Sequence, residues 1–252
     1  MISKAKLKLI HSLERRKYRL EESLFVAEGP RLLDELLPVM QPVYVAALPT
    51  WLEAHRHCLT PSVTTDCLTP DELRRASLMQ APQQVVALFP LPHPEWDDRL
   101  ASENLCLALD GVQDPGNMGT ICRVADWFGI TDIICSPDTV DVFNPKAVQA
   151  TMGALARVRV HYADLPSLLA RLRLPVYGTF LDGSDIYAQP LSDHGIIVMG
   201  NEGNGISPKV GKQVTQRLYI PNFPRERTTT ESLNVAVATS IVCAEFRRRQ
   251  QQ

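Results

Sequence analysis

The chain has 252 residues and a formal net charge of -2, and at about 150 residues per domain this length predicts one large domain or two modest ones. Hydrophobic residues make up 45% and charged residues 21% of the chain, which excludes wholesale disorder, while a total of only 13 glycines excludes a collagen-like protein. The sequence contains no apolar run of about 18 residues, so no membrane-spanning helix is expected.

The first residues are basic but lead into no apolar segment, so we expect no secretory signal. The six cysteines include no Cys-x-x-Cys pair and no histidine partner at zinc-ligand spacing, which argues against a disulfide framework and against a structural metal. Four cysteines stand in apolar runs, where a free thiol behaves as a small hydrophobic side chain. Those four are Cys106, Cys122, Cys135 and Cys243. We therefore expect a protein of the reducing cytoplasm.

Hydrophobic periodicity and turn signals predict that helices alternate with strands along the whole chain. The predicted helices cover residues 3–18, 30–37, 51–58, 117–128, 144–154, 165–172, 207–214 and 232–249, and another begins after Thr69. The predicted strands cover residues 25–27, 43–45, 85–89, 105–109, 133–135, 158–160, 176–180, 196–199 and 218–220. This alternation is typical of an α/β protein with a mostly parallel sheet that is covered on both faces.

A proline-rich stretch without periodicity, residues 90–98, is the best candidate for a linker. It predicts a small α/β domain at residues 1–90, a linker at residues 91–103 and a larger domain at residues 104–252.

Basic residues are concentrated near both ends of the chain. Between residues 4 and 19, a single acid, Glu14, is accompanied by seven basic residues, Lys4, Lys6, Lys8, Arg15, Arg16, Lys17 and Arg19. Such a cluster can bind RNA phosphates or can form a solvated helix face, and charge alone favours neither interpretation. The same two alternatives apply to the C-terminal arginines at positions 247–249.

Three loops that follow predicted strands are rich in glycine, asparagine and other small polar residues, and such loops hold ligands in open α/β sheets. They cover residues 110–123, 200–207 and 220–235. Gly200, Gly203 and Gly205 lack the Gly-x-Gly-x-x-Gly spacing and come late in the chain, which excludes a dinucleotide-binding fingerprint. A phosphate-binding loop of the Gly-x-x-x-x-Gly-Lys-Ser/Thr type is also absent from the sequence.

Three motifs in these loops resemble, in order, those of the SpoU-type RNA 2′-O-ribose methyltransferases of the SPOUT superfamily. They read Asn117-x-Gly119-x-x-x-Arg123, Gly200-Asn201-Glu202-Gly203-x-Gly205 and Ser232-Leu233-Asn234-Val235. The resemblance covers about residues 105–246, and the three motifs are specific together although each alone is weak. Residues 25–29 and the basic helix before them resemble the ribosomal-protein-like RNA-binding domain that precedes many of these enzymes.

The resemblance implies a parallel sheet whose C-terminal segment threads into a trefoil knot, an exception to the general absence of knots in proteins. It also implies that S-adenosylmethionine binds in the knot loops, that the enzyme is a homodimer and that its substrate is RNA. We expect ribosomal RNA rather than tRNA, by analogy, because the added N-terminal domain suits recognition of a structured ribosomal site.

The resemblance also assigns roles to individual residues. Catalytic or ribose-binding roles fall to Arg123, Asn117, Glu202, Ser232 and Asn234. Cofactor-binding roles fall to Thr179, Gly200, Glu202, Gly203, Ile220, Leu233 and Asn234. Outside such motifs, Asn117 and Ser232 would each be interpreted as a helix N-cap, and Glu202 as a surface acid.

Methyl transfer to a ribose hydroxyl requires the hydroxyl proton to leave as the new bond forms, and a general base with a near-neutral pKa would help most. The motif loops contain no histidine, and the candidates are Asp110, Asp114, Glu202 and Arg123. Because arginine stays protonated, Arg123 is better suited to grip an RNA phosphate and to stabilise a developing alkoxide. The structural alternative is that Arg123 pairs with Asp126 or Glu202.

One segment departs from the family pattern. Residues 222–231 form a longer link than the usual glycine-containing one, and Arg225 and Arg227 can reach RNA or simply belong to a longer loop. Three other functions remain open on the sequence: a tRNA 2′-O-methyltransferase, an RNA base methyltransferase, and a non-catalytic RNA-binding assembly factor. A binding module would not need four particular residues together, which disfavours the last; they are Asn117, Arg123, Glu202 and Asn234.

Overall fold

A computed structural model describes residues 2–224 and 232–250, and the chain forms two compact units. The N-terminal unit comprises Met1–His93 with Asp141–Ala156, and the C-terminal unit comprises Pro94–Val140 with Arg157–Gln252. Residues 141–156, which the sequence-based boundaries place in the second domain, therefore pack with the first. The two units are described separately below.

The N-terminal unit contains a mixed four-stranded sheet. Its strands are β1 (Leu24–Glu28), β2 (Tyr44–Ala47), β3 (Thr64–Cys67) and β4 (Val85–Pro90), in the order β1-β4-β2-β3. Strand β4 is antiparallel to β1 and β2, whereas β2 and β3 are parallel. Its helices are α1 (Lys4–Ser12), α2 (Arg16–Glu22), α3 (Pro30–Leu36), α4 (Pro49–His55), α5 (Pro70–Ala76) and α8 (Pro145–Thr151). The capping box predicted at Thr69 is confirmed at the start of α5.

Both faces of this sheet are covered by apolar side chains. On one face, Phe25 and Phe89 pack with residues of α3, with Trp51 of α4 and with Val148 of α8. On the other face, a second cluster joins strand residues to Ile10 of α1. Burial of a large apolar side chain contributes roughly 1.5–3 kcal/mol, so Val148 ties residues 141–156 firmly to this unit.

The basic N-terminal segment forms two helices, so the prediction of one helix over residues 3–18 was wrong. Helix α1 ends at Ser12, and α2 begins at Arg16. The Arg19 guanidinium accounts for the interruption, because its Nη1 donates to the carbonyl oxygens of Leu13 (2.7 Å) and Glu14 (2.8 Å). Carbonyls at a helix end need such partners once the helix stops.

The C-terminal unit contains a six-stranded, fully parallel sheet, which confirms the predicted sheet type. Its strands are β5 (Leu105–Asp110), β6 (Asp132–Cys135), β7 (Arg159–Tyr162), β8 (Val176–Asp185), β9 (Gly195–Gly200) and β10 (Gln216–Tyr219), in the order β10-β8-β9-β5-β6-β7. Its helices are α6 (Arg99–Glu103), α7 (Pro115–Trp127), α9 (Leu165–Arg171), α10 (Pro208–Gly211) and α11 (Val235–Gln250). Helices α6, α9 and α10 pack on one face, and α7 and α11 pack together on the other.

The strand order reverses direction between β5 and β9. From β5 the chain runs outward through β6 and β7, and it then returns to place β8, β9 and β10 on the other side. The last residues of the two central strands, Asp110 and Gly200, are paired in register. Ligands in open α/β sheets bind outside the carboxyl ends of the strands at such a reversal.

Several predicted elements differ in their bounds. Helix α6 lies inside the predicted linker, and β3 was missed because its side chains are polar and mostly exposed. Helix α11 begins at Val235 rather than at Ser232.

The four cysteines predicted to be core residues are buried, as expected. The trefoil knot stays a prediction, since residues 225–231, between β10 and α11, lie outside the described residues. None of the helices in the described residues has both the length and the apolar composition of a membrane span.

Candidate active site

A cavity of about 520 Å³ opens at the carboxyl ends of β8, β9 and β10 in the C-terminal unit. Its walls combine backbone-rich loops with apolar side chains. They are lined by Thr179, Phe180, Leu181, Met199, Gly200, Asn201, Glu202, Gly203, Asn204, Gly205, Ile206, Leu218, Tyr219, Ile220, Ser232, Leu233, Val235 and Ala238. Of the predicted cofactor-binding residues, all except Asn234 line this cavity.

The loop after β9 is fixed by its own backbone. Asn201 and Gly205 exchange two backbone hydrogen bonds of 3.0 and 2.9 Å, and the Asn201 side-chain oxygen accepts from the amides of Gly203 and Asn204. Gly205 has a φ of +67°, which favours glycine. A Cβ at Gly200 would overlap the Gly205 carbonyl carbon, so no side chain fits there. The loop is therefore held in one conformation.

The same loop is fastened to the end of β5. The Ser207 amide donates to Asp110 Oδ2 at 2.6 Å, and Asn201 Nδ2 donates to the Gly111 carbonyl oxygen at 2.7 Å. Asp110 is thus a buried acceptor for a backbone amide. Asp114 accepts from the Asn117 amide at 2.8 Å and is the N-cap of α7, so the possibility that Asn117 itself caps the helix is wrong.

Side chains from all three sequence motifs meet in a hydrogen-bonded chain beside the cavity. Asn234 Nδ2 donates to Asn117 Oδ1 at 3.0 Å, and Asn117 Nδ2 donates to Glu202 Oε1 at 2.7 Å. We call these three residues the amide chain. An ionised carboxylate only accepts, so Glu202 fixes the orientation of the Asn117 amide, which in turn fixes that of Asn234.

The end of the amide chain also starts the last helix. Asn234 Oδ1, left free by this orientation, accepts from the amides of Ala236 (3.0 Å) and Val237 (3.3 Å) and so caps α11. The N-cap is therefore Asn234 and not Ser232. Ser232 lies at the cavity wall, two residues before the cap.

Arg123 projects from α7, six residues after Asn117, and is exposed. The two ion pairs considered for it do not form, because Asp126 pairs with Arg157 and Glu202 accepts from Asn117. Within residues 2–224 and 232–250, Arg123 makes no ion pair or hydrogen bond. An exposed, uncommitted guanidinium is available for a phosphate.

Sequence reasoning gave no role to two side chains at the cavity. Asn201 stands in the second motif and holds the loop, and an asparagine within a glycine-rich stretch is itself a signal for such a turn. Phe180 lines the cavity and carries the Arg217 guanidinium 3.5 Å from its ring centre. Arg217 also pairs with Asp182, and no local sequence signal joins these residues.

The predicted RNA-binding residues of the N-terminal unit do not share one environment. Five of them are exposed, namely Lys4, Lys8, Arg15, Arg16 and Lys17. Lys6 is half-buried, with its ammonium 4.3 Å from the Tyr44 ring centre. Arg19 is 2% exposed, and its guanidinium pairs with Asp141 at 2.6 Å while also bonding two carbonyls. The prediction that Arg19 contacts RNA is therefore wrong.

The C-terminal arginines have partners within the C-terminal unit. Arg247 donates to the carbonyl oxygens of Phe128 (2.7 Å) and Gly129 (3.1 Å) at the end of α7. Arg248 and Arg249 both pair with Glu245 and hold the pKa of that carboxyl low, at about 2. Their side chains thus stabilise the end of α11. Arg225 and Arg227 lie outside the described residues.

A fully parallel sheet with a mixed polar and apolar cavity at the carboxyl ends of β8, β9 and β10, beside the reversal of strand order, places the protein among α/β proteins that bind an organic ligand at the carboxyl edge. More particularly, the chain belongs to the SpoU rRNA methylase family, whose model matches residues 104–244. Residues 4–87 match the model of the MRM3-like substrate binding domain.

Similar proteins share both units. The 23S rRNA (guanosine(2553)-2′-O)-methyltransferase RlmP of Bacillus subtilis is 30% identical over 252 residues, which cover 96% of each chain. A structure of a TrmH-family protein from Porphyromonas gingivalis is 42% identical, with a TM-score of 0.87 over 99% of both chains. The AdoMet-bound rRNA methyltransferase from Sinorhizobium meliloti is 26% identical, with a TM-score of 0.86 over 99% of this chain and 96% of that one.

Proposed function

We propose that this protein is an S-adenosylmethionine-dependent methyltransferase that modifies a ribose 2′-hydroxyl of ribosomal RNA. The observation that carries the proposal is the amide chain, in which one residue of each motif bonds to the next at the edge of the cavity. Membership of the SpoU rRNA methylase family and the similarity to RlmP support ribosomal RNA as the substrate. We infer the cytoplasm as the place of action, because ribosomal RNA is there.

The cavity fits S-adenosylmethionine in size and chemistry. Its volume of about 520 Å³ lies within the usual range of roughly 300–1,000 Å³ for small-molecule sites. Leu181, Ile206 and Leu233 provide apolar walls suited to the faces of an adenine ring. The backbone of residues 200–205 provides polar groups suited to the edges of the ring and to its ribose. When bound, this cofactor supplies a methyl group on a positively charged sulfur.

We assign the remaining roles to side chains beside the cavity. Arg123 binds an RNA phosphate and stabilises negative charge that develops on the ribose oxygen, because its guanidinium stays protonated and is free of other described partners. Asn117 and Asn234 are positioning residues that hold Glu202 at the cavity wall. Ser232 lines the same wall and contributes to substrate or cofactor contacts.

The proposal is tested by transfer of labelled methyl groups to ribosomal RNA from cells that lack the gene. A 2′-O-methyl group blocks alkaline cleavage at one position, whereas a methylated base does not. We expect Arg123→Ala to reduce transfer at least 100-fold with nearly unchanged S-adenosylmethionine affinity by calorimetry. Arg173→Ala, at another exposed arginine of this unit, is the matched control.

Each contrary result overturns a stated part of the proposal. Methyl transfer to tRNA alone would show that tRNA and not ribosomal RNA is the substrate. A product that alkali still cleaves at every position would show that the methyl group is on a base and not on the ribose. Absence of S-adenosylmethionine binding would leave an RNA-binding protein without catalysis. Near-normal transfer by Arg123→Ala would remove this residue from the site.

We further propose that the active protein is a homodimer formed through α7 and α11. These helices pack together on one face of the sheet and present Trp127, 85% exposed, with Val237 half-exposed. Exposure of such apolar side chains to water is unfavourable, and pairing with the same surface of a second copy would bury them. Two-fold symmetric dimers of this kind are the commonest oligomers.

A further inference from the structure

The N-terminal unit contains a second cleft, of about 660 Å³, that the proposed reaction does not use. Strand β1 and residues 78–81 form one side, and the start of α8 forms another. The lining residues of β1 and of the 78–81 segment are Val26, Glu28, Leu78, Met79, Gln80 and Ala81, and Glu14 also lines the cleft. Its volume lies within the range of ordinary ligand sites.

The lining combines apolar surfaces with side-chain amides. Leu78, Met79 and Pro145 supply apolar surface, and Gln80 and Gln149 supply amide groups. Neither glutamine side chain makes a hydrogen bond to the described part of the chain. An amide that offers both a donor and an acceptor can read the edge of a nucleobase, and apolar groups can cover its faces.

One wall of the cleft is rigidly supported from inside. Glu28 is 4% exposed, and its carboxylate accepts from the Ser77 hydroxyl and from the Leu78 amide at 2.8 Å. Burial raises the pKa of Glu28. These two bonds hold residues 77 and 78 against β1, so this wall is formed without any ligand.

The opposite wall is supported as well. Arg19 donates from Nε (3.0 Å) and Nη2 (2.6 Å) to Asp141 Oδ2, three residues before the Asn144 that lines the cleft. The Phe143 ring lies 4.9 Å from that of Phe25, centre to centre. The segment that forms the wall is therefore anchored on both sides of residue 142, and the cleft is preorganised.

Positive charge stands next to the cleft. Glu14, at its rim, is followed directly by the exposed Arg15 and Arg16, and the exposed Lys146 is itself a lining residue. A nucleotide inserted in the cleft would carry its phosphates at the rim, where these cations are placed to meet them.

We propose that this cleft binds one unpaired nucleotide of the RNA, with the base inside and the phosphates at the basic rim. This inference rests on the proposed function, because it takes RNA as the substrate. Sequence-specific RNA recognition generally uses such unstacked bases, whose edges are accessible to side chains. The cleft would thereby select where on the RNA the enzyme acts.

The test uses the full-length protein and a set of RNA hairpins. Four hairpins carry one bulged A, C, G or U in the same stem, and a fifth is fully paired. By fluorescence anisotropy, we expect at least one bulged hairpin to bind tenfold or more tightly than the paired one. Ala81→Trp, which fills the cleft from its exposed rim, and the double variant Q80A/Q149A should each abolish this preference. Ala54→Trp, on the exposed face of α4, should keep it.

Equal binding of all five hairpins by the wild-type protein would overturn the inference, as would an unchanged preference in both cleft variants. The same protein preparations are assayed for methyl transfer to ribosomal RNA. Transfer without a bulge preference would refute the cleft alone. A bulge preference that both cleft variants lose, without any transfer, would refute the proposed reaction alone.

Discussion

Arg19 shows how one residue can be assigned to the wrong task by its neighbours in sequence. It belongs to a run of exposed cations, yet its guanidinium is buried and bonded to Asp141, Leu13 and Glu14. None of these bonds is visible in the sequence, because each forms only when the chain is folded. Loss of one partner of a buried ion pair lowers the stability of the fold, whereas loss of an exposed cation has little effect on stability.

We predict that Arg19→Ala destabilises the protein by about 3–5 kcal/mol, because it leaves the Asp141 carboxylate without its partner. The free energy of unfolding from urea titration measures this effect. Arg15→Ala, four residues earlier and exposed, should change stability by less than about 0.5 kcal/mol while weakening RNA binding. Normal stability of Arg19→Ala combined with weakened RNA binding would instead restore Arg19 to the RNA-binding surface.

The amide chain makes a sharp prediction at Asn117. Asn117→Asp removes the donor to Glu202 and places a second carboxylate within hydrogen-bond distance of it. We expect a larger loss of methyl transfer than for Asn117→Ala, by tenfold or more, because like charges repel at this separation.

Transfer of labelled methyl groups to ribosomal RNA measures the loss in both variants. Asn104→Asp, at an exposed position after α6, is the matched control and should transfer at the wild-type rate. Equal losses in Asn117→Asp and Asn117→Ala would argue against repulsion between the two carboxylates.

At the scale of elements, the two N-terminal helices carry the exposed cations. If Lys4, Lys8 and Arg15 contact phosphates, replacing all three by Glu lowers RNA affinity and also its salt dependence. The slope of log K against log salt should fall by roughly 2–3, since each lost phosphate contact removes about 0.7–0.9. Arg173→Glu, a single charge reversal at an exposed position of the other unit, should leave the slope unchanged. An unchanged slope would mean that these helices are only a solvated surface.

Elements whose pattern is local were predictable from the sequence, and elements fixed by distant contacts were not. Continuous apolar runs such as residues 105–109 predict buried parallel strands, and these are present. Residues 141–156 look like an ordinary connection between β6 and β7, and only contacts with residues distant in sequence, such as Arg19 and Phe25, reveal that they pack with the first unit. Strand β3 is polar on both faces, so periodicity could not find it.

The candidate site follows the same rule. The motifs placed Asn117, Glu202 and Asn234 in three separate loops, and the resemblance grouped them, but their direct bonding depends on the in-register ends of β5 and β9. The sequence could not determine which residue caps each helix, because Asp114 and Asn117 are both good caps, as are Ser232 and Asn234.

At the scale of the whole molecule, the packing of residues 141–156 with the N-terminal unit changes how a deletion of residues 1–90 should be interpreted. A chain lacking residues 1–90 would retain residues 141–156 without the sheet against which Val148 and Phe143 pack. Such a chain would expose apolar surface, so a loss of RNA binding would not isolate the basic helices. Point substitutions on the exposed cations are the cleaner measurement.

The dimer is tested through the surface of α7 and α11. A charge at the centre of an apolar interface is costly, so Trp127→Glu should convert the protein to a monomer at micromolar concentration, as measured by light scattering. Val39→Glu, at an exposed apolar residue of the N-terminal unit, should leave the dimer intact. A wild-type monomer would remove the prediction altogether.

If the dimer forms, mixed subunits show whether its sites are shared. Arg123→Ala and Asn234→Ala subunits are each expected to be inactive. Within one chain, Asn234 bonds to Asn117, which lies on the same helix as Arg123. Recovery of methyl transfer in the mixture therefore requires Arg123 of one subunit to reach the cavity of its partner. Random pairing gives one intact site in half of the dimers, so shared sites predict recovery of up to about a quarter of wild-type transfer. No recovery, with dimers still present, would place both residues in the site of a single chain.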